Sequence, residues 1–187
     1  MHRDYLIKLL EKYQPLNEQE AHFKITMLDF VNDNTNCFDR TNTEGHITAS
    51  AWLLNNDMTQ VLLLHHAKLD VWCQLGGHCD GDPNVLAVAI KEAQEESGIS
   101  NIVPVSTEIF DLDIHHIPAF AKDASHYHYD VRFLLKVVGD EQIVANNESK
   151  DLRWFGKQEE LLPTRAESVL RMFRKWSLGS SSNHKIG

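Results

Sequence analysis

Gly76-Gly77-His78-Cys79-Asp80-Gly81-Asp82-Pro83, running on into Lys91-Glu92-Ala93-Gln94-Glu95-Glu96-Ser97-Gly98-Ile99, is the stretch that organises this chain. A glycine pair and a turn lead into a short helix. On it Glu92, Glu95 and Glu96 stand at i, i+3 and i+4, a spacing that stacks them along one face. Like charges so close repel and call for a counter-charge, and hard divalent cations such as Mg²⁺ prefer carboxylate oxygens. By composition alone a glutamate-rich helix face is solvated surface. The glycine pair, its spacing to Glu92 and the closing Gly98 turn the reading toward a metal and phosphate site in a strand–turn–helix context.

These residues resemble the box of the Nudix hydrolase family, G-x5-E-x7-R-E-U-x-E-E-x-G-U with U aliphatic. Gly77, Glu92, Glu95, Glu96, Gly98 and Ile99 take the required positions. Three positions depart: Pro83 stands for the first Glu, Lys91 for the Arg, and Ala93 for the aliphatic residue. Asp82-Pro83 makes a helix start of its own, with Asp as N-cap and Pro at the first helical position. Lys91 keeps the positive charge but lacks the planar two-pronged guanidinium fork.

The resemblance implies an α/β fold, a Nudix-type α/β/α sandwich with a mixed sheet over residues 45–178. An N-terminal helical extension and loop (1–44) precedes it and a mobile tail (179–187) follows. It implies a metal-dependent hydrolase that cleaves a diphosphate linkage in a nucleoside diphosphate joined to another group, or in a related organic diphosphate. Glu92, Glu95 and Glu96, with the Gly77 carbonyl, would hold Mg²⁺ or Mn²⁺. Glu95, or Glu148 in a late Asn-rich loop, would take the proton of the attacking water. His78 and Asp80 in the box turn fall where the diphosphate should lie. Substrate choice in the family is set by loops outside the box, here 32–45 and 120–125.

Two other function classes share the fold. Isopentenyl-diphosphate isomerases need a Cys and an acid on opposite sides of an alkene, and Cys79 adjoins His78. A non-catalytic Nudix domain would bind a nucleotide or a protein; such domains often lose box carboxylates, and this helix keeps three.

Away from the box, His126, His128 and Asp130 alternate with Tyr127, Tyr129 and Val131. On a strand the two His and the Asp share one face. They read either as a transition-metal set or as a polar wall of the substrate cleft, with His126 and His128 as the substrate contacts. His115 and His116 fall on the expected partner strand.

At 187 residues and 42% hydrophobic the chain fits one well-buried domain. The net charge of −9 argues against a nucleic-acid surface, and no apolar run approaches the ~20 residues of a membrane span. Met1-His2-Arg3-Asp4 opens without an apolar segment, so no secretory signal is expected. Cys37, Cys73 and Cys79 are odd in number and lack C-x-x-C spacing, which suits reduced thiols and a cytoplasmic protein. The expected partner is a small diphosphate substrate; a homodimer is the open alternative to a monomer.

Periodicity supplies the rest. Leu6, Leu9, Leu10 and Tyr13 predict a first helix ended by Pro15, and Asn17 with Glu20 caps a second one to about Val31. Strands are expected at 46–54 and 60–66 around the turn Asn55-Asn56-Asp57, then at 105–117, 127–138 and 152–155. The box helix is predicted over 83–97 with Leu86, Ala89, Ile90 and Ala93 inward. Thr164 and Glu167 open a last helix with Val169, Leu170, Phe173 and Trp176 inward.

Overall fold

The computed structural model describes residues 2–119, 124–144 and 149–181. Two helices, α1 (Asp4–Lys12) and α2 (Glu18–Asp33), precede β1 (Gly45–Leu54), β2 (Val61–His66), β3 (Trp72–Cys73) and β4 (Leu75–His78). The box helix α3 (Val85–Ser97) follows, then β5 (Ile102–Pro104), β6 (Asp111–Ile117), β7 (His126–Val137), β8 (Ser149–Phe155) and α4 (Glu167–Ser181). Among the described residues no helix is long and apolar enough to cross a membrane.

β1 is the spine of a mixed sheet. It runs parallel to β7 in the register His46↔His128 through Leu54↔Lys136. Along its other edge it pairs antiparallel with β4, Thr48↔His78 to Ala51↔Leu75, and then with β2 at Leu54↔Val61. The Asn55–Gln60 turn closes by a backbone bond from Asn55 N–H to Gln60 O. Every residue of β1 is buried, because both faces are covered. Ile47, Ala49, Ala51 and Leu53 enter the core that holds α1, α2 and α3. Trp52 and Leu54 on the other face meet Val169, Phe173 and Trp176 of α4. The expected α/β/α sandwich with its N-terminal helices is the observed architecture.

Several local expectations are corrected. The α3 N-cap is Asn84, whose Oδ1 accepts the Ala87 N–H at 3.2 Å; Asp82 instead accepts the Asn84 N–H at 2.9 Å. Pro83 therefore lies in an Asx turn ahead of the helix. Gly98 closes α3 in the left-handed conformation, φ 74°, as a C-cap requires. The inward stripe of α3 is Val85, Val88, Ala89 and Ala93, with Leu86 and Ile90 only half-buried. The strand expected over 105–117 begins only at Asp111, as β6; the short β5 lies ahead of the expected span, and both strands are laid along β7. Val105 N–H donates to Leu134 O and Phe110 N–H to Arg132 O, so 106–109 loop out between neighbouring rungs. Thr164 does not cap α4: its hydroxyl accepts the Ala166 N–H, and the helix begins at Glu167. α4 runs on to Ser181, into the segment expected as tail; 182–187 lie outside the described residues.

The helical extension is tied to the sheet through a buried ionic chain. Glu20 accepts the Tyr13 hydroxyl at 2.7 Å and lies 3.0 Å from Lys175 Nζ. Lys175 reaches Asp111 at 2.6 Å. Arg171 and Arg132 both reach Asp111 and Asp113, and Arg132 Nε donates to Asp130 at 2.7 Å. Phe30 of α2 stacks on Tyr129, ring centroids 3.9 Å apart.

Candidate active site

The two glycines of β4 let neighbours approach closely, β1 at Gly76 and α3 at Gly77. A Cβ on Gly76 would stand 2.7 Å from Ser50 Cα and 2.8 Å from the Ala49 carbonyl oxygen, and its φ of 155° disfavours any side chain. A Cβ on Gly77 would overlap the Glu92 carboxylate, 2.7 Å from its Cδ. Gly76 N–H donates to Glu96 Oε2 at 2.8 Å. Glu96 is buried, the Glu92 side chain is 18% exposed, and that of Glu95 is 57% exposed. The predicted trio is thus divided. Glu92 and Glu96, one turn apart, bear on the glycine strand, while Glu95 faces outward.

Lys91 takes the place of the box arginine. Its Nζ lies 3.2 Å from Glu92 Oε1 and 3.3 Å from Glu95 Oε2, bridging the two. These contacts, the hydrogen bond to Glu92 first, hold the Lys91 ammonium above its ordinary pKa. The cradle at Gly77, filled by a carboxylate where a Cβ would be, suits a hard cation bound by Glu92, Glu96 and main-chain oxygen. Glu148, the other candidate base, lies outside the described residues.

Asp80 sits in the turn after β4 at φ 50°. It takes a two-pronged pair from Arg40, Nε to Oδ1 and Nη2 to Oδ2, both at 2.6 Å. That hydrogen-bonded pair holds the Asp80 carboxyl below its ordinary value. Arg40, from the loop before β1, thereby brings a cation to the box turn. Sequence reasoning singled out the loop but not this residue.

On the face of β1 that carries Trp52, the strand presents a polar row instead of an apolar one: His46, Thr48 and Ser50, all buried. Asp130, opposite Thr48 on β7, accepts from Thr48 at 3.0 Å, Ser50 at 2.7 Å, Gln74 at 3.2 Å and Arg132. It is fully engaged there, and the side chains placed for a common ion do not include it.

The histidines gather one step further along. His46, His78 and His128 come from β1, β4 and β7, and their ligand atoms all lie within 4.8 Å of one another. Among the described residues this is the group of three acid, His or Cys side chains placed for a common metal ion. His126 adjoins it, Nε2 to Nε2 of His128 at 3.2 Å, with its Nδ1 2.8 Å from Ala124 O. Burial first, then the neighbouring imidazoles, pushes His46 down to about 4 and His128 down to about 2. Burial and Arg40 lower His78 as well. His46 was not legible as a site residue from the β7 pattern alone.

Cys79 lies in the apolar core, 4% exposed, and burial raises its thiol pKa. A thiol so placed lacks the exposed, electropositive setting of a reactive cysteine, which removes the feature that favoured an isomerase.

The sequence profile of the NUDIX domain matches residues 45–176. No curated protein sequence matches the chain. Among solved structures, the E. coli dihydroneopterin triphosphate pyrophosphohydrolase superposes with a TM-score of 0.56 at 16% identity, covering 71% of this chain and 95% of that one. The MutT protein from Methanosarcina mazei Go1 gives 0.54 at 19%, covering 77% and 99%. A C. elegans Ap4A hydrolase in a binary complex gives 0.52 at 17%, covering 73% and 98%. At these identities the likeness is one of fold.

Proposed function

The chain belongs to the NUDIX family of pyrophosphohydrolases, and from that premise we propose that it cleaves, with Mg²⁺ or Mn²⁺, the diphosphate linkage of a nucleoside diphosphate joined to another group. The observation that carries this reading is the meeting of Glu92 and Glu96 with the main chain of Gly76 and Gly77. Two solved neighbours of the same fold are named as hydrolases, one an Ap4A hydrolase and one a dihydroneopterin triphosphate pyrophosphohydrolase.

Glu92 and Glu96, with the Gly77 carbonyl, are the residues that would hold the cation. When bound, it neutralises diphosphate oxygens and lowers the pKa of a coordinated water. Glu96 is fixed by the Gly76 N–H, so its carboxylate is positioned before substrate arrives. Glu95, the outward carboxylate, would take the proton of the attacking water as the oxygen–phosphorus bond forms; Glu148 is the alternative base for that step. Lys91 keeps Glu92 and Glu95 in register. Arg40 and Asp80 at the turn form the polar rim, and Arg40, held by Asp80 through Nε and Nη2, would bring its positive charge toward a phosphate there. The bond to the leaving phosphate breaks, giving two monophosphates or a monophosphate and phosphate. A cytoplasmic setting belongs to this reading and is supported by the three free cysteines.

The test is a screen of ADP-ribose, nucleotide sugars, dinucleoside polyphosphates, NADH, CDP-alcohols and nucleoside triphosphates with Mg²⁺ or Mn²⁺, products resolved by chromatography. Turnover of one class supports the reading and names the substrate. Binding of a nucleotide without turnover across the panel would mark a non-catalytic binding domain instead.

A further inference from the structure

His46 is 2% exposed and neither of its ring nitrogens has a hydrogen-bond partner of good geometry, although the Asn42 main chain acts on the ring as a hydrogen-bonding neighbour. A buried polar group left unpaired costs free energy, and folded proteins rarely keep one without a purpose. Around it, His78, His126 and His128 bring their ring centroids to 5.0, 4.9 and 4.8 Å. We propose that His46, His78 and His128 form a second metal site, separate from the carboxylates of α3, which takes a borderline divalent cation, zinc foremost.

Three strands fix the donors. His46 and His128 are direct neighbours across the parallel β1–β7 pair, and His78 stands opposite Thr48 on the antiparallel partner. A ligand set on adjacent strands is more rigid than one on loops. Nitrogen ligands of four-coordinate zinc stand about 3.4 Å apart, given Zn–N bonds of about 2.0–2.1 Å. The triad lies within 4.8 Å, so modest ring rotations close it. His126 stands at the rim outside the triad, its Nδ1 2.8 Å from the Ala124 carbonyl and its Nε2 3.2 Å from that of His128, where it can hold the His128 ring in place.

The donor chemistry selects the ion. Each of the three is an imidazole, and Asp130, the buried carboxylate two residues on from His128, is saturated by Thr48, Ser50, Gln74 and Arg132. Imidazole suits zinc and its transition-metal neighbours, whereas Mg²⁺ and Ca²⁺ want oxygen. The burial that disfavours protonation of these rings also keeps them in the neutral form a metal binds. His78 follows Gly77 directly, and successive strand residues point to opposite faces. One short strand thus serves the carboxylate site on one side and the imidazole site on the other, leaving a fourth position for water or an anionic oxygen.

The probe is Co²⁺, added to chelator-stripped protein and followed by equilibrium dialysis and visible absorption. The expected result is one equivalent bound with the intense bands of a four-coordinate nitrogen site, displaced by Zn²⁺ and unaffected by excess Mg²⁺. His128→Gln, at the less buried position, and His46→Gln each weaken this binding about a hundredfold or more, with folding verified by circular dichroism. Glu96→Gln retains the intense bands, so failure of the carboxylate site and of the imidazole site are told apart. Absence of such bands in the native chain, or their survival in folded His128→Gln, overturns the proposal.

Discussion

The Glu92 carboxylate occupies the space that a side chain at position 77 would take, its Cδ 2.7 Å from where a Cβ on Gly77 would stand. The neighbouring glycine is crowded by main chain instead, the Ala49 carbonyl oxygen and Ser50 Cα. The two therefore answer differently to substitution. Gly77→Ala displaces only the end of a flexible side chain, so it should fold with a melting temperature near native and lose most activity. A misplacement of about 1 Å can cost on the order of 10²-fold. Gly76→Ala must move backbone within the β1–β4 pair and should be destabilised by roughly 1–3 kcal/mol. Melting curves and kcat for the two variants side by side check this; equal loss of stability in both would refute it.

Lys91 is 61% exposed and bridges Glu92 and Glu95. Exposed ion pairs contribute about 0–1 kcal/mol, so Lys91→Ala should barely change stability. It should lower kcat on the order of tenfold through looser carboxylates, and Lys91→Arg should restore or exceed the native rate. Kinetics of both variants decide; unchanged kcat in Lys91→Ala would leave the residue without a positioning role.

Arg40 reaches across to Asp80 from the loop before β1. Arg40→Ala should raise KM several-fold, about 1 kcal/mol of lost charge-assisted contact, and leave the melting temperature in place because both side chains are more than half exposed. Steady-state kinetics with the substrate found in the screen measure the split.

The Asp111 carboxylate is fully buried among Arg171, Arg132 and Lys175. Burial pushes its pKa up, but the three cations outweigh that and hold it below the ordinary value; the same holds for Asp113 with His115, Arg132 and Arg171. A depressed folded pKa contributes stability that is complete above the unfolded value, about 3.9, and is lost as pH falls through the folded one. The native chain should hold its stability down to about pH 4 as far as these two groups are concerned, then lose it on further acidification. Asp111→Asn leaves buried cations underpaired and should cost about 3–5 kcal/mol at neutral pH, with a shallower acid limb. Urea denaturation against pH reads both.

Much of this was legible in the sequence, for physical reasons that differ by element. The box helix carried its own punctuation, so the helix and its C-cap at Gly98 came out directly, whereas the turning of Glu95 away from Glu92 and Glu96 did not. Its start did not, because Asp82 and Asn84 are both good caps and only the turn geometry chose between them. The late start of β6 at Asp111 and the short β5 before residue 105 were hidden, since both pair with β7 and the sequence shows only continuous strand-like character. The histidine site was half visible. His126 and His128 showed through alternation, but Asp130 belonged to a different network, and the third donor came from β1. One signal existed there: His46, Thr48 and Ser50 alternate with Ile47, Ala49 and Ala51, a polar row in a strand whose other face is wholly apolar. What no sequence pattern gives is the register that sets His46 beside His128.

The measurement that tests the central claim most directly is the turnover of Glu96→Gln beside the native chain, in saturating Mg²⁺, on the substrate the screen identifies. Gln keeps an oxygen to accept the Gly76 N–H, so fold and melting temperature should stay close to native. The rate should fall roughly 10²-fold or more, since a carboxylate that holds the cation is gone. A folded Glu96→Gln protein that turns over at the native rate would contradict the account, placing the chemistry away from the helix that carries the box.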